Sequence, residues 1–335
     1  MTTAAVVGTG DISALHLDAI LANPRIELVG VCDVDASRAE AAGRAFGVPC
    51  FTDHRALLRA VSPQVVHVTT PHDQHVPVAL DALDAGAHVL MEKPVGESVA
   101  AGLRLVERAA ASSKKVGVVF QNRYNPTAAA IRDVLTAGVL GPITGARAAV
   151  WWFRPAAYYA AAPWRGRWDT AGGGVLINQA IHTLDLLLWF LGAPSAVSGR
   201  AETLALQGAI QVEDTATILI DHEGGVRSTL FATNTHHTNA DVELEVTGRD
   251  GSVRLVGGEA LLTDGSGTRR IATDTQASGE RSYWGKGHSL LIDDFHARLD
   301  DPDPFWIGPA EALVPLQVLR EVYRQSGILP EGQDL

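Results

Sequence analysis

The chain reads as an α/β protein: an N-terminal doubly wound parallel sheet followed by a second α/β domain whose sheet is mostly antiparallel. Three observations predict this. Up to about residue 120, short continuously apolar runs alternate with Ala-rich stretches of helical length, the pattern of parallel strands covered on both faces by crossover helices. Beyond residue 122, apolar positions alternate with polar ones, as in Val242, Leu244 and Val246 against Glu243 and Glu245, the period of a half-buried strand. The chain has 335 residues, and roughly 150 residues per domain makes two domains. The boundaries are set at 1–122 and 123–335.

The elements follow in order. Ala4, Ala5, Val6 and Val7 form a strand that ends in a glycine turn, and a helix over 12–22 is closed by Asn23 and Pro24. The next strands are 28–32, ended by Asp33, then 65–68, 88–91 and 116–120. In the second domain, strands are expected over 145–153, 210–221, 225–234, 241–248 and 251–256, and helices near 126–138, 174–191, 287–299 and 309–325. His222-Glu223-Gly224-Gly225 and Arg249-Asp250-Gly251 have the chemistry of hairpin turns.

Composition removes several function classes. Apolar types make up 46% and charged types 19%, ordinary for a globular chain. A net charge of −11 without a Lys/Arg run argues against nucleic acid or an anionic membrane surface as partner. The N-terminus lacks a basic region and a long apolar core, and the run 186–192 is too short to span a bilayer. A soluble, cytoplasmic protein with no membrane partner is expected. Cys32 and Cys50 cannot build a disulfide framework or a four-thiolate zinc site. His72/His75 and His236/His237 have no partner ligands at usable spacing, so no metal is expected.

Three constellations carry chemistry. Gly8-Thr9-Gly10-Asp11-Ile12-Ser13 follows the first strand and opens the first helix. It matches the G-x-G-x-x-G dinucleotide fingerprint except that Ser13 replaces the third glycine. Gly8 permits the tight turn, Gly10 lets the backbone approach a pyrophosphate, and the helix N-terminus offers N–H groups and positive dipole. Asp33 ends the second strand, where a carboxylate accepts hydrogen bonds from a ribose diol and repels a 2′-phosphate. NAD is therefore expected over NADP, with Arg38 softening the preference.

Glu92-Lys93-Pro94 ends the strand 88–91, at the end of a parallel sheet where ligands bind. Pro94 biases Lys93 away from helix, and an ammonium there can hold a substrate hydroxyl. Further on, Gly172-Gly173-Gly174 leads into a nearly all-apolar helix. Asn178, His182 and Asp185 fall at i, i+4 and i+7, one polar stripe expected to face a cleft and not a dry core. His182 has a side chain suited to proton transfer near neutral pH. The loop 151–168 holds four of the seven tryptophans, with Tyr158, Tyr159, Arg154, Arg165 and Arg167; aromatic faces stack on sugars and arginines grip hydroxyls or an acidic group.

The stretches GTGDIS, VTTPHDQHVPVALDALDAGAHVLMEKP, VVFQNRYNP, WRGRWDTAGGGVLINQAIHTLDLLLWFLG and GKGHSLLIDDF, spread over 7–295, resemble the Gfo/Idh/MocA family of oxidoreductases. The resemblance implies an N-terminal Rossmann domain, a C-terminal α/β domain with an open-faced sheet, and oxidoreduction at a sugar or polyol carbinol with NAD or NADP. It also implies a homodimer or homotetramer built through that sheet. Carried over by position, Lys93 touches both nicotinamide ribose and substrate. Gly8, Gly10, Asp11, Ile12, Asp33, Arg38, Thr70, Pro71, His75, Glu92, Gln121 and Trp164 neighbour the cofactor. Arg123, Tyr124, Arg165, Asn178, His182 and Asp185 neighbour the substrate, and His288 borders the pocket. Lys93 and His182 are the catalytic pair, either of which can move the proton. Many polyol-oxidising relatives carry Asp four residues before the His; Asn178 stands there in this chain. It cannot take a proton, so a positioning role is expected. Two further readings stand beside the dehydrogenase: a glycoside hydrolase or epimerase-like enzyme with internal hydride return, and a non-catalytic cofactor-binding sensor.

Overall fold

The computed structural model describes residues 1–274 and 286–331. Gly285, which opens the GKGHSLLIDDF stretch, lies outside the described residues. The chain divides into two compact units, one of Met1–Gln121 with Gly287–Leu313, the other of Asn122–Lys286 with Val314–Leu335.

The first unit runs β1 (Thr2–Val7), α1 (Ser13–Ala22), β2 (Ile26–Cys32), α2 (Ala36–Phe46), β3 (Cys50–Phe51), α3 (His54–Val61), β4 (Val65–Val68), α4 (His72–Asp84), β5 (His88–Glu92), α5 (Val99–Ala110) and β6 (Val116–Val119). All six strands are parallel, in the order β3-β2-β1-β4-β5-β6. The order reverses at β1, which creates a switch-point crevice at the strands' C-terminal ends. Every residue of β4 and β6 is buried, which explains why both are apolar apart from His67 in β4. The two-residue β3 is too short to leave a periodic signal and was not expected.

A single break after residue 122 does not describe the division. The segment Gly287–Leu313 belongs with the first unit, because α10 (Gly287–Ala297) packs on α1. Val118 N–H donates to Ile307 O at 2.9 Å. Gly117 lies so close to Phe295 that a Cβ there would meet its ring at 2.8 Å.

In the second unit, α6 (Pro126–Thr136), β7 (Ile143–Trp151), α7 (Ala156–Ala160), α8 (Trp168–Ala171) and α9 (Ile181–Leu191) precede a run of strands. These are β8 (Pro194–Glu202), β9 (Thr215–His222), β10 (Arg227–Thr233), β11 (Glu243–Gly248), β12 (Gly251–Val256), β13 (Glu259–Asp264) and β14 (Gly267–Thr273). The eight-stranded order is β14-β13-β12-β11-β7-β10-β9-β8, antiparallel except for the parallel pair β10 and β7. Burial alternates along β9, β10 and β11, so one face is covered and the other open. Strands β8, β13 and β14 were not anticipated. β8 carries Ser, Gly and Arg on a largely accessible strand, and β14 is mostly exposed, so neither shows apolar alternation. The helix α11 (Pro309–Ser326) closes the described chain.

The stretch Trp168–Leu191 is long and apolar enough to cross a membrane by composition, with mean hydropathy 1.4, although 78% of that window is buried inside the protein. The run 186–192 thus understated the apolar length. Such burial fits a core helix.

Candidate functional site

The site is built first from the glycine turn. Gly8 has φ +95°, and a Cβ on it would sit 2.6 Å from Thr69 O, so only glycine lets β1 turn against the end of β4. Ser13 is buried, and its hydroxyl donates to Gly10 O at 2.7 Å. The serine thus locks the turn from within. Around Gly10 a Cβ would meet nothing within 4 Å. The helix α1 has no side-chain cap and no acid in its first turn, which leaves the positive end of its dipole to an anion.

Asp33, one residue past β2, is buried. Its Oδ2 accepts from Thr9 N–H at 2.8 Å and Thr9 Oγ1 at 3.1 Å; its Oδ1 accepts from Asp35 N–H at 2.9 Å and Arg38 Nη2 at 2.9 Å. Burial opposes its charge, but the Arg38 and main-chain donors outweigh it and hold the carboxyl below its ordinary range. Arg38, whose side chain is 54% exposed, leans on Asp33.

At the ends of β4, β5 and β6 the other expected groups collect. His75 is buried, with Nδ1 2.8 Å from Pro94 O and Nε2 2.9 Å from Thr70 O. It therefore braces the cis Lys93–Pro94 peptide against the Thr70-Pro71 turn, a scaffolding placement. Burial keeps its pKa low. Thr70 Oγ1 and Gln121 Oε1 are buried side-chain oxygens with no hydrogen-bond partner. Such atoms are rare and call for an explanation; a polar ligand along these strand ends supplies one. The uncrowded Gly10, the uncapped helix and these two oxygens fit a dinucleotide.

Glu92, expected beside the cofactor, is buried between two imidazoles, with Oε1 3.1 Å from His16 Nε2 and 3.4 Å from His288 Nε2. Burial opposes its ionisation, yet those two histidines hold it well below the usual carboxylate range. Lys93 is partly buried, and its pKa is lowered by burial, with Glu92 pulling the other way.

In the second unit the glycine-rich entry Gly172-Gly173-Gly174 is fixed by Glu213, which precedes β9. Its carboxylate accepts from Gly174 N–H at 2.8 Å, Leu176 N–H at 2.9 Å and Tyr323 Oη at 2.8 Å. A Cβ on Gly174 would lie 1.8 Å from Glu213 O. The helix then opens as a π-helical turn, Leu176–Ala180, before continuing as α9. That extra residue in the turn breaks the simple α spacing between Asn178 and His182, and π-turns recur at functional sites.

Asn178, His182 and Trp189 are the part-accessible positions of 171–190. Asn178 Nδ2 donates to Tyr158 Oη at 3.3 Å. Asp185 departs from the expected stripe: it is fully buried, and Arg123 Nε and Nη2 grip it at 2.8 and 2.6 Å. Arg123 and Asp185 were both expected among substrate contacts, whereas the structure seals them together as a bidentate pair. The sequence stripe failed there because an acid and a base 62 residues apart satisfy each other in the core. In the aromatic loop, Arg165 stacks over Tyr158 at 4.3 Å and Trp164 at 5.7 Å, and Arg154 stacks over Trp152 at 4.9 Å. Trp168 is core, donating to Gln211 O at 2.8 Å and meeting Tyr323 edge-on. Tyr124 follows Arg123 in a 3₁₀ turn, Gln121–Tyr124.

Sequence reading missed Glu213 and Tyr323, and the buried imidazoles of His16, His67 and His296. The signal for His67 was available: it interrupts the valine run of β4. Among the described residues no cluster of His, Cys, Asp and Glu suits a metal ion.

A six-stranded parallel sheet with a glycine turn and an acid one strand further on defines a dinucleotide-binding protein joined to a second, open-sheet unit. Family models agree with both halves. Residues 2–120 match the oxidoreductase family with NAD-binding Rossmann fold, and residues 128–254 match the GFO/IDH/MocA C-terminal domain. The chain belongs to the Gfo/Idh/MocA oxidoreductase family. It is 32% identical over 203 residues to the D-glucoside 3-dehydrogenase of Escherichia coli K12, covering 59% of this chain and 56% of that relative. It is 28% identical over 258 residues to the inositol 2-dehydrogenase of Rubrobacter xylanophilus, covering 75% of this chain and 70% of that one. The crystal structure of the WlbA dehydrogenase from Bordetella pertussis in complex with NADH and UDP-GlcNAcA superposes with TM-score 0.84 at 29% identity, over 97% of this chain and 96% of that one. The match thus spans little over half the length of the first of these relatives.

Proposed function

We propose that this protein is a dehydrogenase that moves hydride between a nicotinamide cofactor, NAD in preference to NADP, and a secondary carbinol or ketone of a sugar or polyol. The observation that carries this reading is the buried Asp33 carboxylate, held ionised at the end of β2, where a ribose diol is recognised. Relatives named for sugar and inositol dehydrogenation support the substrate class. Gly8, Gly10, Asp11 and Ile12 take the diphosphate end, Asp33 and Arg38 the ribose. Thr70, Pro71, Gln121 and Trp164 take the nicotinamide end, with His75 and Glu92 bracing that corner.

When bound, the nicotinamide supplies the hydride acceptor or donor. Lys93 and His182 are the catalytic pair. The Lys93 ammonium, its proton loosened by burial, steadies the carbinol oxygen; either Lys93 or His182 moves its proton. Asn178, tied to Tyr158, positions a hydroxyl, and Tyr124 and Arg165 border the sugar. Arg123 with Asp185 supports the helix from behind. Trp151, which ends β7, is 38% exposed, and Phe153 just beyond the strand is 44% exposed; these accessible aromatics support a homodimer or homotetramer through the second sheet. Free Cys32 and Cys50 are in keeping with the cytoplasm. The test is NADH formation with a sugar and polyol panel, followed together with product analysis. Lys93→Ala and His182→Ala should each lower kcat by roughly 10²–10⁴. Sugar turnover without NADH accumulation, or undiminished turnover in both variants, would overturn the reading.

A further inference from the structure

A chain of buried groups crosses the first unit from one end of its sheet to the other. It starts at Glu92, the last residue of β5, whose Oε1 lies 3.1 Å from His16 Nε2 on α1. His16 Nδ1 lies 2.8 Å from His67 Nδ1 on β4, and His67 Nε2 lies 3.0 Å from His296 Nε2 on α10. His296 in turn lines a surface cavity of about 470 Å³ formed with Met1, Thr2, Asn23, Arg25 and Ile26, at the opening end of β1 and β2. His16 and His67 are fully buried. Four titratable side chains in unbroken hydrogen-bond contact are not needed to hold a sheet together, and three imidazoles inside an apolar core are costly to bury.

We propose that Glu92, His16, His67 and His296 form a proton wire that loads and unloads Glu92, the residue before Lys93, from solvent at the opposite end of the sheet, and so sets the charge beside the Lys93 ammonium. One set of tautomers satisfies every contact. An ionised Glu92 requires His16 to carry its proton on Nε2; His16 Nδ1 then accepts, so His67 carries its proton on Nδ1, and His296 on Nε2. All donors point toward Glu92, and the run ends on His296, the ring that lines the cavity, whose Nδ1 is a buried atom without a hydrogen-bond partner.

A proton that reaches His296 Nδ1 from the cavity side releases the one on Nε2 to His67 Nε2. His67 passes its Nδ1 proton to His16 Nδ1, and His16 passes its Nε2 proton to Glu92 Oε1. Each ring gains one N–H and loses the other, no electrons move, and Glu92 ends protonated; export is the same sequence reversed. Burial lowers the pKa of His16, takes His67 well below the ordinary value and takes His296 to about 4, so the rings rest neutral and relay charge without storing it. The charged and titratable neighbours are Arg25 and His88 beside His296, His288 beside Glu92 and His16, and Lys93 beside Glu92. Loading Glu92 removes the negative charge that favours the Lys93 ammonium, so the wire couples the state of the lysine to solvent.

Two experiments decide. In ¹⁵N-histidine-labelled protein without cofactor, near pH 7, His16 should appear as the Nε2–H tautomer, His67 as Nδ1–H and His296 as Nε2–H. Any one of them protonated on the other nitrogen breaks the run and sinks the wire. In turnover, His296→Ala, shown folded by its melting curve, should lose roughly tenfold in kcat at neutral pH. That is less than the roughly 10²–10⁴ of a group that itself transfers the proton. It should also show an enlarged solvent deuterium isotope effect and recover with added imidazole. A loss with neither isotope effect nor rescue, or no loss, assigns the chain to structure alone. The kinetic arm rests on the dehydrogenase reading; if the wild-type protein oxidises no sugar or polyol, that reading fails while the tautomers still judge the wire.

Discussion

Glu213 stands at the mouth of a helix it does not belong to: its carboxylate receives Gly174 N–H at 2.8 Å, 39 residues away along the chain. The N-terminal N–H groups of a helix need acceptors, and here a buried side chain from before β9 provides them while also accepting from Tyr323 Oη at 2.8 Å. The helix that carries Asn178 and His182 is therefore aimed by an acid from another element.

Burial pushes the Glu213 pKa up to about 7 despite these donors. A folded-state pKa above the ordinary 4.5 means that the native protein binds the proton more tightly than the unfolded chain. Its contribution is full below about pH 4.5 and is lost as pH rises through about 7, on the order of 3 kcal/mol. Thermal unfolding between pH 5 and 8 should therefore show wild type losing stability relative to Glu213→Gln, whose curve is flatter. Parallel curves would remove Glu213 as the titrating group.

The two glycines of the turn after β1 meet different surroundings. Gly8→Ala should destabilise the protein, because the new Cβ meets Thr69 O at 2.6 Å. Gly10→Ala meets nothing and should keep its melting temperature, yet weaken NAD by about tenfold, or about 1.4 kcal/mol, by crowding the diphosphate. Calorimetric titration of both variants separates the effects.

Asp33→Ser should exchange cofactor preference. Without the carboxylate, Arg38 loses its 2.9 Å partner and is free to meet a 2′-phosphate. The ratio of the NADP to NAD dissociation constants should fall by about tenfold or more. An unchanged ratio would show that Asp33 does not meet the ribose.

The Arg123–Asp185 pair is buried on both sides, at 3% and 1% side-chain exposure. Asp185→Asn or Arg123→Ala leaves a charge inside the core, a loss of about 3–5 kcal/mol. The double variant Arg123→Met with Asp185→Leu should recover much of that in chemical denaturation. Additive losses would mean that the two residues act independently.

Much of this architecture is legible before any coordinates. The parallel half is plain because β4 and β6 are buried on both faces and are apolar but for His67. The glycine turn, Asp33 and the Glu92-Lys93-Pro94 corner are local in sequence, so they can be singled out together before any long-range contact is known. What escapes is long-range. Glu213 reads as one acid among many until folding sets it against Gly174, and Asp185 looks like an extension of the Asn178–His182 stripe until Arg123 seals it. The weakly patterned β8 and β14 are edge strands, which have less need of apolar alternation than the strands between them.

The central place of β7 has a further consequence. It is the earliest-synthesised strand of its sheet, yet its neighbours are β10 and β11, and its Arg147 pairs with Glu245, 98 residues later. While the protein emerges from the ribosome, β7 must wait with both edges bare until two later hairpins arrive to clasp it. Distant pairings of this kind slow assembly, and an unpaired edge invites adhesion to other chains. A chaperone that shields this one strand would protect the whole second unit at its most vulnerable moment.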